Sequence, residues 1–542
     1  LIFSVNTARG GAETRQYHLT IAKESVEFSG RKAKAMTINN QIPGPVLRFT
    51  EGDLARISVQ NKMNTPTSIH WHGLLVPPDM DGVPYISFPP IEPGESFTYE
   101  FPIRQSGTYW YHSHSGLQEQ MGMYGAIVID PDHQDSRPPA ERVILLSDWT
   151  FEPPEAVLHI LKRDSEWYSL QKGAGQSILG AYKAGKVGDY FARELGRMPA
   201  MDISDVAYDH FLASGKPVLK LEANPGQSLR LRVINGSATT FFMLEFAAGP
   251  LTIVAADGLD VEPVEVERLL IGVAETYDLL VTMPEKGAHE FRATAHDASS
   301  YASIWLGQGM RNPARDIPAP DLYHNMGSLS LKRIFALTPA GAMGMDNNLV
   351  EEGFFDKPGM AGMKSMKEMK MDRYSKKMYS PHSRSMKMSN ASKMADKAKP
   401  QKKMAEVPKD TALKGSDSGY SPPPWGKRFS YNFGLLASDI SSASITAMDG
   451  GPTRPWPPYA KLRSVGKTSF ESEQPVREIR LTLDGDMERY VWLLNNRALS
   501  EDDDILIKKG EVVRFIMINR TMMHHPMHLH GHFFRLVNGQ GD

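Results

Sequence analysis

Nine of the chain's 17 histidines fall in three short runs: Ile69-His70-Trp71-His72-Gly73, Tyr111-His112-Ser113-His114, and His524-His525-Pro526-Met527-His528-Leu529-His530-Gly531-His532. On a strand or at its end, a His-x-His step turns both imidazoles to one face, because alternate side chains share a face. Imidazole is a natural ligand for copper, zinc, iron and nickel, and a cluster gathered from distant segments can hold more than one ion. A mononuclear zinc centre uses three or four protein ligands. Three His-x-His runs in one chain exceed that need. A multi-metal centre is the chemistry they point to.

The elements that must position these residues read as strands. Short alternating runs, Gln16 to Ile21, Leu54 to Val59, Phe97 to Phe101 and Ala126 to Ile129, are broken by turn signals such as Pro43-Gly44-Pro45 and Glu92-Pro93-Gly94-Glu95. Such spacing predicts a Greek-key β-sandwich or barrel. Alternation returns at Val218–Leu221, Leu229–Ile234, Leu251–Ala255 and Tyr277–Val281, and again at Ile479–Leu483, Tyr490–Leu494 and Val512–Ile518. Between Pro153 and His210 helix-compatible and polar residues mix, as in a bridging segment. A weak repeat links the β-regions: a turn containing Gly52, Gly226 or Gly510 precedes an alternating strand that ends in Asn61, Asn235 or Asn519.

At 542 residues the chain exceeds a single core, and 45 Gly with 38 Pro suit a turn-rich all-β protein. A net charge of −2 argues against a nucleic-acid partner. No run of eighteen apolar residues exists, so no membrane-spanning helix is expected. The absence of cysteine excludes disulfides and thiolate ligands in this sequence. Leu1-Ile2-Phe3-Ser4-Val5 fits either the stub of an export signal's apolar region or a leader of the mature protein.

The three runs, in this order and position, resemble the copper motifs of the multicopper oxidases. That resemblance implies three cupredoxin-like Greek-key domains, at residues 1–150, 151–337 and 428–542, with an insert at 338–427. It implies copper as cofactor: His70 and His528 on a type 2 ion, His72, His112, His114 and His530 on a binuclear type 3 pair, and His525 on a type 1 ion. Asp81, in Asp79-Met80-Asp81-Gly82, matches the family's acid beside the type 2 ion, a proton relay or an orienter of bound water; a turn Asp before Gly is the plainer alternative. His524 and His532 take no ligand role. Ser113 stands where copper nitrite reductases carry a type 1 cysteine, which places electron entry in the last domain. The family's fourth motif, a His-Cys-His run, does not occur here; the chain stops at Asp542 and the third domain is read as truncated and incomplete.

Twelve of the 29 methionines lie between Met343 and Met404, in phrases such as Met360-Ala361-Gly362-Met363 and Met366-Lys367-Glu368-Met369-Lys370-Met371. This Met/Lys-rich composition predicts a disordered insert. Thioethers select Cu(I), so Met360, Met363, Met366, Met369 and Met371 are candidate ligands for that ion. From Asp356 to Asp410 there are 15 Lys and Arg against 6 Asp and Glu, a net +9 that leaves −11 elsewhere. A basic tether is therefore the competing reading.

Methionine-rich inserts and the phrase from Gly107 to Gly125 most resemble the periplasmic copper-resistance branch. The implied activity is one-electron oxidation of Cu(I) coupled to reduction of dioxygen to water, by an exported monomer. The alternatives are a laccase-like oxidase of phenols and a copper-sequestering protein without oxidase activity.

Overall fold

The computed structural model describes residues 13–132, 139–163, 166–195 and 203–323, the pair 342–343, and, with short gaps, residues 455–537. The Met360 to Met371 candidates lie outside the described residues.

The first region is a sandwich of two four-stranded sheets. We number its strands β1 (Thr14–Phe28), β2 (Arg31–Ile38), β3 (Gly44–Thr50), β4 (Leu54–Asn61), β5 (His70–His72), β6 (Ser96–Pro102), β7 (Gly107–His112) and β8 (Tyr124–Asp130). One sheet runs β2-β1-β4-β6 and the other β3-β8-β7-β5. Alternation does the sorting: β4 buries Ala55, Ile57, Val59 and Asn61 while the residues between them turn outward. Leu19, Ile21, Phe49, Ile57, Trp71, Tyr99, Phe101 and Tyr111 pack into one core between the sheets. Neither sheet is purely antiparallel, since β1 pairs β4 and β3 pairs β8 in parallel.

A second pair of six-stranded sheets, one of them completed by the short strand Arg311–Asn312, covers Ala140 to Asn312 and shares a large apolar core from Ile144 to Leu306. The segment between its strands Ala140–Trp149 and His210–Ala213 holds, among the described residues, four short helices, Pro154–Leu161, Trp167–Gln171, Ile178–Lys183 and Val187–Leu195. The fold is thus mostly β rather than all-β. In this segment the apolar residues recur at helical spacing, with Val157 and Leu161 four apart and both buried. Beyond residue 455, Val476–Asp486 pairs in parallel with Val512–Asn519 and antiparallel with Val491–Leu494. Tyr490, expected in a strand, precedes it at φ +52°.

The weak repeat has a physical basis. Strands Leu54–Asn61, Ser228–Asn235 and Val512–Asn519 each follow a glycine of positive φ and each pairs in parallel with an earlier strand. Each ends in an Asn that folds the chain after it. Oδ1 of Asn61, Asn235 and Asn519 accepts the N–H of Met63, Ser237 and Thr521, at 2.9, 3.2 and 2.9 Å. Their Nδ2 groups donate to the carbonyls of Thr65, Thr240 and Met523. One Asx-type turn is used three times. The first and third uses open the segments leading to His70 and to His524.

Candidate metal centre

Strand β5 faces β7 with His70 opposite His112, Trp71 opposite Tyr111 and His72 opposite Trp110. Period two then divides the side chains. Trp71 and Tyr111 enter the sandwich core beside Tyr99 and Phe101, while His70, His72, Trp110 and His112 share the opposite face. On that face Trp110 stacks on His112 with centroids 4.3 Å apart and lies 5.0 Å from His72. Behind Trp110 are Tyr124, Leu145 and Ile234, so the second β-region buttresses this wall.

The C-terminal run reaches the same face from the far end of the chain. His528 stacks on His72 at 3.7 Å, and His530 lies 4.2 Å from His70 and 5.2 Å from His114. Six imidazoles from three segments therefore converge: His70, His72, His112, His114, His528 and His530. His70 Nε2 and His528 Nε2 are 3.3 Å apart, and His72 Nδ1 and His112 Nε2 are 3.4 Å apart. Ring nitrogens bind a first-row ion at about 2.0 Å, so two on one ion stand roughly 3 Å from each other. His70, His72 and His528 offer ring nitrogens all within 4.8 Å of one another. The donor set and its spacing fit copper.

Two of the remaining ring nitrogens are held by Asp81. His70 Nδ1 donates to the backbone carbonyl of Asp81 at 2.7 Å, and His530 Nδ1 donates to Asp81 Oδ2 at 2.8 Å. Each thus keeps its Nε2 lone pair for a metal. Asp81 comes this close because Gly82 follows it: a Cβ there would lie 1.8 Å from the Ile69 carbonyl, and φ is +80°. Burial would raise the Asp81 carboxyl, but hydrogen bonds from His530 and His70 outweigh it and hold the group well below the usual carboxylate range. Burial pushes His70 down to about 4 and, with the neighbouring imidazoles, pushes His72 well below its ordinary value. Both rings are neutral at pH 7, the form that binds metal. His112 goes the other way: burial lowers it, but the Glu119 charge and hydrogen bond prevail.

His525 is placed apart from the six. Its Nε2 is 2.6 Å from Thr521 Oγ1, leaving Nδ1 for a ligand, and Trp492 packs edge-on at 5.2 Å. His524 stacks on His296 of the second β-region at 5.8 Å, and His532 Nδ1 bonds the His530 carbonyl. Two contacts were not anticipated from sequence. Trp110 stands two residues before His112 and was legible from strand alternation. Glu119 Oε2 stands 3.1 Å from His112 Nδ1, and nothing in the spacing marks it.

A mostly β chain that brings three His-x-His segments onto one wall is the architecture of an imidazole-built copper protein, and this chain belongs to the multicopper oxidase family. Three models described as "Multicopper oxidase" match residues 20–134, 140–307 and 472–542. Copper resistance protein A of Escherichia coli is 35% identical over 97% of this chain and 84% of its own length. A Copper resistance protein A homolog of Pseudomonas syringae pv. tomato is 33% identical over 98% of this chain and 85% of its own. Multicopper oxidase MmcO of Mycobacterium tuberculosis is 26% identical over 97% and 77%.

Proposed function

We propose that this protein is a periplasmic copper-resistance oxidase that takes single electrons from Cu(I) and uses them to reduce dioxygen to water. The observation that carries the reading is the convergence of six imidazoles, with two nitrogen pairs at 3.3 and 3.4 Å, in a chain related along 97% of its length to Copper resistance protein A. His70 and His528 would hold a type 2 ion. His72, His112, His114 and His530 would hold the type 3 pair, and His525 would serve a type 1 ion. Bound copper would supply the electron storage that a four-electron reduction needs.

The protein's own residues do the rest. Asp81 bonds Nδ1 of His530 and faces Nδ1 of His70 at 3.3 Å, so it orients two ligands from opposite ends of the chain. Trp110 walls the cluster and keeps the rings from turning. The sequence has no cysteine, so this chain as it stands should show no intense blue thiolate-to-copper absorption.

Cu(I) is favoured over phenols by the methionine-rich phrases from Met360 to Met371, whose thioethers suit the soft ion. Oxygen uptake driven by Cu(I) and by a phenol, with and without residues 360–404, tests this. Deletion should depress the Cu(I) rate far more than the phenol rate. Equal effects would leave the segment as a tether and favour a laccase-like oxidase.

A further inference from the structure

Six imidazoles bring no negative charge to a centre meant for several cations. Among the described residues, two carboxylates reach the Nδ1 atoms of these rings. Asp81 serves His70 and His530. On the other side His112 Nδ1 faces Glu119 Oε2 at 3.1 Å, with the Ser113 carbonyl also within reach at 3.0 Å.

The loop that carries Glu119 is built to present it. The neighbouring Gln118 is buried: its Oε1 accepts from Thr67 at 2.7 Å and Ser113 at 2.9 Å, and its Nε2 donates to the Pro66 carbonyl at 2.8 Å. On the other side Gln120 Oε1 accepts from Tyr208 in the second β-region. The short turn Glu119–Met121 then closes on Gly122 at φ +111°, where a Cβ would strike Ile42. With both flanks anchored, the turn presents Glu119 beside His112.

We propose that Glu119 is a positioning residue whose carboxylate charge strengthens His112 as a metal donor and offsets the cation charge on the His72–His112 side, as Asp81 does on the His70–His530 side. The inference rests on the copper reading above. The Ser113 carbonyl can hold the His112 tautomer without help, so the contribution of Glu119 is its charge rather than its hydrogen bond. Carboxylates in this relation to a ligating histidine typically change metal affinity by about 10–100-fold.

Glu119→Gln separates charge from shape. The test is Cu(II) binding by the purified chain, by competition with a chelator, together with melting of the metal-free and Cu(II)-loaded protein. Glu119→Gln should bind Cu(II) about 10–100-fold more weakly, lose part of the copper-induced rise in Tm, and melt like the parent without metal. Parental affinity in Glu119→Gln would overturn the proposal while leaving the copper site standing. A metal-free Tm lowered enough to account for the weaker binding would reduce Glu119 to a structural role and overturn it too. If the parent chain binds no Cu(II) that depends on His70, the copper reading fails and this inference with it.

Discussion

The two sources of the candidate ligands are built differently. His70 and His112 are 1% and 8% exposed and are fixed by the β5–β7 register, with Trp71 and Tyr111 anchored in a core on the reverse face. The run from His524 to His532 contains no strand, and its Met527 and Leu529 are exposed. One half of the centre is part of a folded wall. The other is an irregular segment held against that wall by ring stacking on His72 and by the Asp81–His530 bond. A binding site made this way is preorganised on one side and completed from the other, and Asp81 belongs to both.

This difference should appear first in stability. Trp71→Ala removes a fully buried indole and should cost about 3–5 kcal/mol, measured by denaturant unfolding. Phe534→Ala, at a ring 61% exposed just past the C-terminal run, should fall within about 0.5 kcal/mol of the parent. Similar costs at both positions would erase the contrast.

Acid should act through the buried half as well. His70 is depressed from 6.5 to about 4, mainly by burial. Between those values the unfolded chain takes up a proton that the folded ring refuses. The contribution is therefore complete above about pH 6.5 and lost as pH falls toward about 4, amounting to roughly 3 kcal/mol in the metal-free protein. His70→Ala should flatten that part of the stability–pH curve; an unchanged slope would show that His70 is not its source.

A smaller effect is expected where the halves meet. Asp81→Ala should weaken Cu(II) binding by about 10–100-fold and raise amide hydrogen exchange in residues 524–537, with β5 and β7 unaffected. Faster exchange in β5 instead would mean that Asp81 supports the wall rather than the segment brought to it.

The same contrast explains what could be read from the sequence. His70, His72, His112 and the strands that carry them were legible because period-two alternation fixes both fold and facing, and Trp110 could have been found the same way. The three Asn residues that end Leu54–Asn61, Ser228–Asn235 and Val512–Asn519 were visible as a faint repeat, and the Asx turn they share supplies the reason. Asp81 was found as a motif acid, yet its reach to His530, 449 positions away, depends on tertiary folding. Glu119 could not be found at all, since what aims it is the set of bonds made by Gln118 and Gln120. The helices from Pro154 to Leu195 were read only as a bridge because they are short and their periodicity spans barely two turns.

The central claim is that the wall and the C-terminal run share one metal centre. Cu(II) stoichiometry of the parent, His70→Ala, His528→Ala and the double variant tests it most directly, with circular dichroism confirming that each remains folded. Ligands of the same ion should each abolish its binding alone, and the double variant should lose no more than either single one. Unchanged stoichiometry in both single variants, or losses that add in the double, would contradict the account.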